Sequence, residues 1–264
     1  MLTALACTAA AAVAADALFV TPFAMQHRRL TLAVRRVPPV LQGKRILQLS
    51  DLHIDGWTYR EVFIRQHVLA SRPDLLVITG DLLSSPEGIP VVLQLLEGMH
   101  APMGVWFVPG NNEIEEVDLW AFLARLRGMG IRPLLNEAAS LGEACWLVGV
   151  NDPSMEKDDL SRALRGVPDD DFRLLLAHSP EIFYQAADRG IELTLAGHTH
   201  GGQVRFPWLG ALYADTQRSG LNFVAGEYRR GASVLHVSRG TGMSVLPIRW
   251  LCRPEILEFQ LVEA

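Results

Sequence analysis

Short apolar runs that end in a polar cluster recur along the chain from residue 45 onward. Each run has four residues, is rich in aliphatic side chains, and is followed within three residues by Asp, Asn or His. Runs of this length between polar clusters are typical of buried β-strands. The predicted strands are residues 46–49, 75–78, 105–108, 174–177 and 193–196.

Segments with helical spacing separate the first three predicted strands. Apolar positions recur with helical spacing in residues 62–70 and 91–96, and these segments end ahead of Pro73 and Gly98. The polar clusters that follow the three strands are thirty residues apart, about the length of one strand–helix–strand unit. Strands that alternate with helices in this way predict a parallel sheet.

The later part of the chain predicts one more helix and further strands. Residues 115–129 carry apolar side chains on one side, and the glycines at 128 and 130 end this predicted helix. Strands are predicted at residues 146–150, 234–237 and 256–261, and we expect them in a second sheet. Residues 201–231 form the longest irregular stretch, which makes them a candidate substrate loop.

Composition describes an ordinary globular protein. The 264 residues are 49% hydrophobic and 20% charged, which excludes low-complexity disorder, a collagen repeat and a disulfide-stapled miniprotein. A net charge of −5 argues against binding of a nucleic acid duplex. Cys7, Cys145 and Cys252 lie far apart and form no metal-binding pair, and we expect the last two to be buried. One domain is predicted over residues 27–264.

An apolar N-terminal segment, residues 1–26, precedes that domain. Residues 1–15 carry no charge, Asp16 interrupts, and a second apolar stretch follows. As a membrane span the segment is marginal, because spanning needs about 20 strongly apolar residues. The segment is predicted to be a membrane anchor or a degraded signal, unless the true start of the protein lies upstream. The alternative is a terminal helix that packs on the domain.

Basic residues dominate the stretch that follows, since no acidic residue lies between His27 and Arg45. If the apolar segment contacts a bilayer, this charge favours the cytoplasmic leaflet. The alternative is an edge strand over residues 29–35 with its polar face in water. The predicted location is therefore the membrane, with the cytoplasmic face favoured, and a soluble cytoplasmic protein is the alternative.

Five polar clusters follow the predicted strands, and ligands gather at the carboxyl ends of strands in open α/β sheets. Each motif alone is common, and a lone histidine is more often a core residue than a ligand. All five clusters occur in order after apolar strands, which favours one shared site. Side chains two residues apart on an extended chain point to the same side, so both could reach that site. Carboxylate, imidazole and amide ligands suit Mn, Fe, Zn or Mg. The clusters contain Asp51 and His53, Asp81, Asn111 and Asn112, His178, and His198 and His200.

This ordered series resembles the calcineurin-like metallophosphoesterase superfamily. The segment Gly197 to Gln203 and the tail from Val237 to Ile256 resemble its bacterial membrane-linked phosphodiesterase branch. The resemblance implies a four-layer α/β/β/α sandwich with mixed sheets, and two divalent metal ions, with manganese favoured. It implies a metal-bridging hydroxide as the nucleophile. The implied ligands are Asp51, His53 and His200 for one metal, Asn111, His178 and His198 for the other, and Asp81 as the bridge.

Asn112 departs from the family pattern, in which a histidine usually follows the metal-binding Asn and assists the leaving group. An amide can donate a hydrogen bond but cannot act as a general acid at neutral pH. The implied catalytic residues are therefore Asp81 and Asn112. UDP-2,3-diacylglucosamine pyrophosphatases, which act in lipid A synthesis, also lack this histidine in some members, so a nucleotide-lipid pyrophosphate is favoured. The competing interpretation is impaired catalysis.

Aromatic residues follow the first and last motifs. Trp57 and residues 206–209 are interpreted as an apolar wall for acyl chains, against the alternative of loop residues folded onto the core. The favoured function is a metal-dependent phosphoesterase that cleaves a phosphodiester or pyrophosphate bond of a lipid-linked substrate. The alternatives are a soluble nucleotide phosphodiesterase or phosphomonoesterase, and a scaffold that has lost catalysis.

Overall fold

The computed structural model describes residues 2–214, 216 and 222–264. The strands in this part of the chain form two six-stranded sheets and one short hairpin. The helices are α1 (Leu2–Ala15), α2 (Tyr59–Ser71), α3 (Ile89–Leu96), α4 (Asn111–Glu115), α5 (Leu119–Gly128), α6 (Leu160–Ala163) and α7 (Phe183–Asp188). The strands are β1 (Gln26–Val34), β2 (Ile46–Leu49), β3 (Leu75–Thr79), β4 (Val105–Val108), β5 (Ile131–Pro133), β6 (Glu137–Gly142), β7 (Cys145–Gly149), β8 (Phe172–Leu176), β9 (Leu193–Ala196), β10 (Arg205–Phe206), β11 (Gly210–Ala211), β12 (Gly226–Arg230), β13 (Ser233–Val237) and β14 (Glu255–Glu263).

The first sheet has the strand order β1-β14-β2-β3-β4-β5. Strands β2 to β5 run parallel and are joined by helices α2, α3 and α5, which confirms the predicted parallel strand–helix units. Strand β14 lies antiparallel to β2 and parallel to β1. The expectation that residues 256–261 join the second sheet is therefore wrong. The apolar pattern of a strand fixes which faces are buried, but it does not specify the neighbouring strand.

The second sheet has the order β12-β13-β9-β8-β7-β6. Its central strands β13, β9, β8 and β7 are parallel, and β12 and β6 pair antiparallel at the two edges. Strands β8 and β9 therefore belong to a different sheet from β2, β3 and β4. The polar clusters that follow these two groups of strands come from opposite sheets.

Three apolar layers hold the sheets and helices together, which gives the predicted α/β/β/α sandwich with mixed sheets. The central layer contains residues such as Val77 and Trp106 from the first sheet and Leu174 and Leu195 from the second. A second cluster joins the outer face of the first sheet to α2, α3 and α5. A third joins β7 and β8 to α6 and α7. Because central strands such as β3, β4 and β9 are buried on both faces, their sequences are almost continuously apolar.

Capping residues explain where two of the helices begin. Thr58 and Glu61 form a capping box at the start of α2, which contains the helix predicted at residues 62–70. The Asp118 side chain accepts a hydrogen bond from the Ala121 backbone N–H and caps α5. The single helix predicted over residues 115–129 is therefore wrong at its start, because α5 begins at Leu119.

The N-terminal segment is helical as far as Phe23 and then enters β1. Its stretch Ala6–Phe23 is long and apolar enough to cross a membrane by length and composition, and only 17% of it is buried against the rest of the chain. Strand β1 lies at the edge of the first sheet, as the edge-strand interpretation of residues 29–35 predicted.

Ion pairs occupy most of the basic side chains between His27 and Arg45. Their partners are acidic residues elsewhere in the chain, so the attraction of this stretch for an anionic surface is weaker than its sequence indicates. The pairs are Arg28 with Glu255, Arg29 with Glu258, Arg36 with Glu192, and Lys44 and Arg45 with Asp74. His27 Nε2 lies 3.2 Å from Glu258 Oε2, but burial lowers the pKa of this histidine.

Candidate metal centre

Left-handed backbone turns carry five of the seven predicted metal ligands. Positive φ angles of 45° to 70° occur at Asp51, His53, Asp81, His198 and His200, shortly after the ends of β2, β3 and β9. Such conformations cost about 1–3 kcal/mol each in a non-glycine residue and cluster at functional sites. The expectation of side chains two apart on an extended chain is wrong, because these side chains converge through sharp turns.

Glycines allow the strand ends to approach one another closely. A Cβ atom at Gly110 would overlap Asp81 Oδ1, and a Cβ atom at Gly197 would overlap the side chains of Ser50 and Asp51. Any larger residue at either position would push a predicted ligand away. The residues that precede Asn111 and His198 are therefore part of how the site is assembled.

Asp51, His53 and His200 come together at one side of the site. One potential ligand atom from each lies within 4.8 Å of the others, and all three side chains are buried. His53 Nε2 lies 3.0 Å from His200 Nε2, and His200 Nε2 lies 3.7 Å from Asp51 Oδ1. The three residues predicted for the first metal therefore form one cluster.

Asn111, His178 and His198 meet at the other side. His178 Nε2 lies 3.2 Å from Asn111 Oδ1 and 3.0 Å from His198 Nδ1. Asp81 Oδ2 lies between the two sides, at 3.4 Å from both His53 Nε2 and His178 Nε2. One carboxylate oxygen thus faces an imidazole from each predicted ligand set. Asp51, Asp81 and His178 also bring potential ligand atoms within 4.8 Å of one another.

Backbone and side-chain hydrogen bonds orient these ligands. His178 Nδ1 lies 2.9 Å from the Thr79 carbonyl oxygen, so a proton on Nδ1 donates to that oxygen and the ring is held with Nε2 facing Asp81. Asp51 accepts hydrogen bonds from the His198 backbone N–H and the Ser50 hydroxyl, over 2.9 and 2.6 Å. The first and last motifs are therefore joined directly.

Glu113 was not predicted, although it holds two of the ligand turns together. Its buried carboxylate accepts backbone N–H bonds from Asp81 and Gly110 over 2.9 Å, and from Leu82 over 2.6 Å. Glu113 stands at the third position of α4, and the capping-box spacing after Gly110 is the sequence signal that could have identified it. Burial, with the neighbouring Asp81 charge, raises the pKa of Glu113 to about 7.

Arg249 was also not predicted, and its side chain is fully buried behind His200. The guanidinium donates to the carbonyl oxygens of Gly242 and Arg239 over 2.6 and 2.7 Å, and its Nη2 lies 3.4 Å from His200 Nδ1. It thereby ties residues 239–252 to the last metal motif. Arg249 lies in the tail that resembles the membrane-linked branch, but no local pattern in the sequence indicates that its side chain is buried.

The electrostatics of the site suit divalent cations. Burial raises the pKa of Asp51 to about 6 and lowers that of His53 to about 4. Burial and the neighbouring His53 lower the pKa of His200. Burial by itself would raise the pKa of Asp81 and lower that of His178. The attraction between the two side chains outweighs burial, so the pKa of Asp81 is lowered and that of His178 is raised. The lowered pKa values leave His53 and His200 neutral with lone pairs free for a metal, whereas His178 is held protonated by Asp81 and would release that proton when a cation takes its place. Carboxylate and neutral imidazole groups are ligands that bind Mn, Fe or Zn.

Asn112 lies inside the ligand cluster. Its backbone N–H donates to Asp81 Oδ1 over 3.0 Å, and its Nδ2 donates to the Leu83 carbonyl oxygen over 3.2 Å. The same Nδ2 lies 3.0 Å from His53 Nδ1, and Asn112 Oδ1 accepts a hydrogen bond from Asn111 Nδ2. The side chain is thus linked to a predicted ligand of each metal.

A cavity of about 250 Å³ opens directly beside the ligand cluster. Asp81, Asn111, His198 and His200 form its polar side. Trp57 and residues 206–209, which were predicted to form an apolar wall, are absent from the described residues that line this cavity. Its apolar side was missed by the sequence analysis and comes from Val204, Tyr213, Ala214, Val245, Leu246 and Ile248.

Two mixed sheets that present carboxylate, imidazole and amide ligands at their facing strand ends define a metallophosphoesterase fold with a candidate dinuclear site. The model of the calcineurin-like phosphoesterase family matches residues 44–202. This match includes every predicted metal ligand, and the chain belongs to that family.

Relatives with the same fold come from bacteria and animals. The chain is 29% identical to the uncharacterized metallophosphoesterase YkuE of Bacillus subtilis, over 92% of this chain and 87% of that protein. It is 33% identical to a bovine transmembrane protein with a metallophosphoesterase domain, over 88% of this chain but 56% of that longer protein. The crystal structure of TT1561 from Thermus thermophilus superposes with a TM-score of 0.50 at 15% identity, covering 75% of this chain and 90% of that one.

Proposed function

We propose that this protein hydrolyses a phosphodiester or pyrophosphate bond of a lipid-linked substrate, such as UDP-2,3-diacylglucosamine, with two divalent metal ions. The observation that carries the proposal is the cavity whose polar side is formed by predicted metal ligands and whose opposite side is apolar. A substrate with a phosphate group and a hydrocarbon part matches both sides of such a cavity.

In this proposal Asp51, His53 and His200 hold one cation. Asn111, His178 and His198 would hold the second, and Asp81, whose Oδ2 faces His53 and His178, would be shared by both. Bound divalent cations, of which manganese is favoured, lower the pKa of a water molecule and stabilise negative charge on phosphoryl oxygens.

The protein's own residues supply position rather than a transferable proton. The Thr79 carbonyl oxygen and the Glu113 carboxylate accept hydrogen bonds from His178 and the Asp81 backbone, and the Ser50 hydroxyl donates one to Asp51. These bonds fix the ligand side chains and turns before substrate binds. Asn112 donates hydrogen bonds but cannot protonate a leaving group at neutral pH. A pyrophosphate bond suits such a site better than an alkyl ester, because the departing phosphate is already a weak base.

Membrane association is part of the proposal. The apolar stretch Ala6–Phe23 has the length and composition of a membrane-crossing helix. The bovine relative is named as a transmembrane protein with a metallophosphoesterase domain, and 88% of this chain aligns with 56% of that protein. The cytoplasmic face is favoured by the basic residues that follow the helix.

A substrate panel tests the function. Full-length protein in detergent with Mn²⁺ is assayed on UDP-2,3-diacylglucosamine, a glycerophosphodiester, a cyclic nucleotide and a phosphomonoester. We expect the highest kcat/KM on the nucleotide-lipid pyrophosphate, measured by release of UMP, and no turnover by Asp81→Asn. A preference for the cyclic nucleotide or the phosphomonoester would overturn the lipid-linked substrate. Equal turnover by the variant and the original protein would overturn the metal-dependent mechanism.

A further inference from the structure

Large apolar side chains that face solvent lie on the two segments that contribute residues to the cavity wall, 204–214 and 244–248. Trp208 is fully exposed and Val245 is 92% exposed. In a soluble protein, isolated exposed apolar residues are common, but a cluster of them marks an interaction surface. We call this cluster the rim; its described members are Phe206, Trp208, Leu209, Leu212, Tyr213, Val245 and Leu246.

Two segments of the chain form the rim, and they are joined directly. Val204 and Trp250 form a β-bridge, and the Arg205 backbone N–H donates to the Trp250 carbonyl oxygen over 2.9 Å. The rings of Phe206 and Trp250 pack edge to face with centroids 5.3 Å apart. The two segments of the rim are therefore held together through the contacts of residues 204–206 with Trp250.

The apolar N-terminal helix meets the chain beside this surface. The Arg249 backbone N–H donates to the Ala17 carbonyl oxygen over 3.0 Å, and its neighbour Ile248 lines the cavity. Ala17 is buried at this contact, whereas Phe19 and Val20 remain exposed. The helical segment that is long enough to cross a membrane thus joins the strip of chain that forms one wall of the cavity mouth.

We infer that the rim contacts the hydrocarbon and headgroup region of a lipid bilayer, so that the cavity opens toward the membrane surface. Residues 201–214 and 243–251 contain no acidic residue. Trp and Tyr are the aromatic side chains enriched at the boundary between headgroups and acyl chains. A bilayer covers both the rim and the exposed part of the N-terminal helix with one surface.

The contact with the bilayer does not depend on catalysis, but its consequence for substrate entry rests on the proposed function. A lipid-linked phosphate substrate would enter the cavity from the leaflet without its hydrocarbon part crossing water. Such direct entry avoids the unfavourable free energy of exposing the hydrocarbon part to water.

Fluorescence quenching tests the contact itself. Full-length protein is reconstituted into vesicles of phosphatidylcholine and phosphatidylglycerol with or without brominated acyl chains. We expect bromine-dependent quenching that is largely lost in Trp208→Phe and retained in Trp120→Phe, a matched change of an exposed tryptophan on α5. Equal quenching in the two variants would overturn the inference. The inference would also be overturned if the rim paired two copies of this chain. The protein would then be dimeric in detergent, and Trp208 would be shielded from the brominated acyl chains.

Activity measurements separate this inference from the proposed function. Trp208→Ser and Leu209→Ser should lower kcat/KM about tenfold on a substrate held in vesicles. The same variants should leave hydrolysis of water-soluble bis(p-nitrophenyl) phosphate unchanged, since neither residue lines the cavity. Loss of activity on both substrates would contradict the membrane role of the rim. Absence of any hydrolysis by the original protein, with the quenching intact, would overturn the proposed function alone.

Discussion

The side-chain amide of Asn111 donates a hydrogen bond to Asn112 Oδ1 over 2.9 Å. This bond turns the other end of the Asn111 amide toward the site, where Oδ1 lies 3.2 Å from His178 Nε2. To serve as the predicted ligand, the Asn111 amide must present oxygen rather than an N–H group, so the partner that fixes its orientation matters. Asn112 thus has a geometric role that is independent of proton transfer.

Replacement of Asn112 by alanine should weaken metal binding, because the side chain contacts Asn111 and His53, one predicted ligand of each metal. The variant removes the acceptor that orients Asn111, and loss of such a supporting partner typically costs about 10–100-fold in metal affinity. Titration of metal-free protein with Mn²⁺ in a calorimeter measures the change. Gln185→Ala, an exposed amide on α7, is the matched control and should bind both ions as the original protein does. Unchanged binding by Asn112→Ala would refute the orienting role.

Replacement of Asn112 by histidine should change the ranking of substrates. An imidazole can supply the proton that an amide cannot, and this benefit is largest where the leaving group is a strong base. We expect kcat/KM to rise more on an alkyl phosphodiester than on a pyrophosphate. The assay compares both substrates under the same metal concentration. A larger gain on the pyrophosphate would contradict this account of the position.

Replacement of Glu113 by glutamine should destabilise the protein without a change in size. The Glu113 carboxylate accepts three backbone N–H groups, whereas a glutamine amide must place its own NH₂ group against at least one of them. An unsatisfied buried donor costs about 1–3 kcal/mol in free energy of unfolding. Urea denaturation of the metal-free protein measures the loss. Glu116→Gln, at an exposed position, is the control. An equal loss of unfolding free energy in both variants would show that the three hydrogen bonds to Glu113 do not stabilise the protein.

His236 should make the protein less stable as the pH falls from about 6.5 to 4. Burial lowers the pKa of this histidine from 6.5 to about 4 in the folded protein. Within that window the unfolded chain binds a proton that the folded chain does not, so unfolding is favoured as the pH falls. The full effect is about 3 kcal/mol and is absent above pH 6.5. Denaturation curves across this range should diverge between the original protein and His236→Phe, and parallel curves would refute the assignment.

Much of the parallel sheet and of the ligand set could be predicted from the sequence. The strand–helix rhythm of β2, β3 and β4 is local, because each apolar run and the helix after it lie within about thirty residues. The clusters at Asp51, Asp81 and Asn111 follow these strands directly. Side chains that follow neighbouring parallel strands share one edge of a sheet, so their convergence follows from the strand assignment.

The features that could not be predicted depend on contacts between distant parts of the chain. The cavity wall joins Val204 to Ile248, and the burial of Arg249 depends on carbonyl groups that face it from several turns. The exposed rim at Trp208 and Leu209 was expected against the site or the core, because the sequence shows apolar residues but not which surface they face. The left-handed turns at the ligands were missed because positive φ is uncommon in non-glycine residues, although Asp and His adopt it more often than most.

The position of β14 between β1 and β2 has a consequence for biosynthesis. Among the described strands of the first sheet, β1 is paired only with β14, and more than two hundred residues separate the two strands along the chain. A nascent polypeptide emerging from the ribosome therefore exposes the unpaired edges of β1 and β2 until β14 has been synthesised. During that interval, an apolar amino-terminal helix already held in a bilayer would keep β1 tethered at the surface where its late partner arrives.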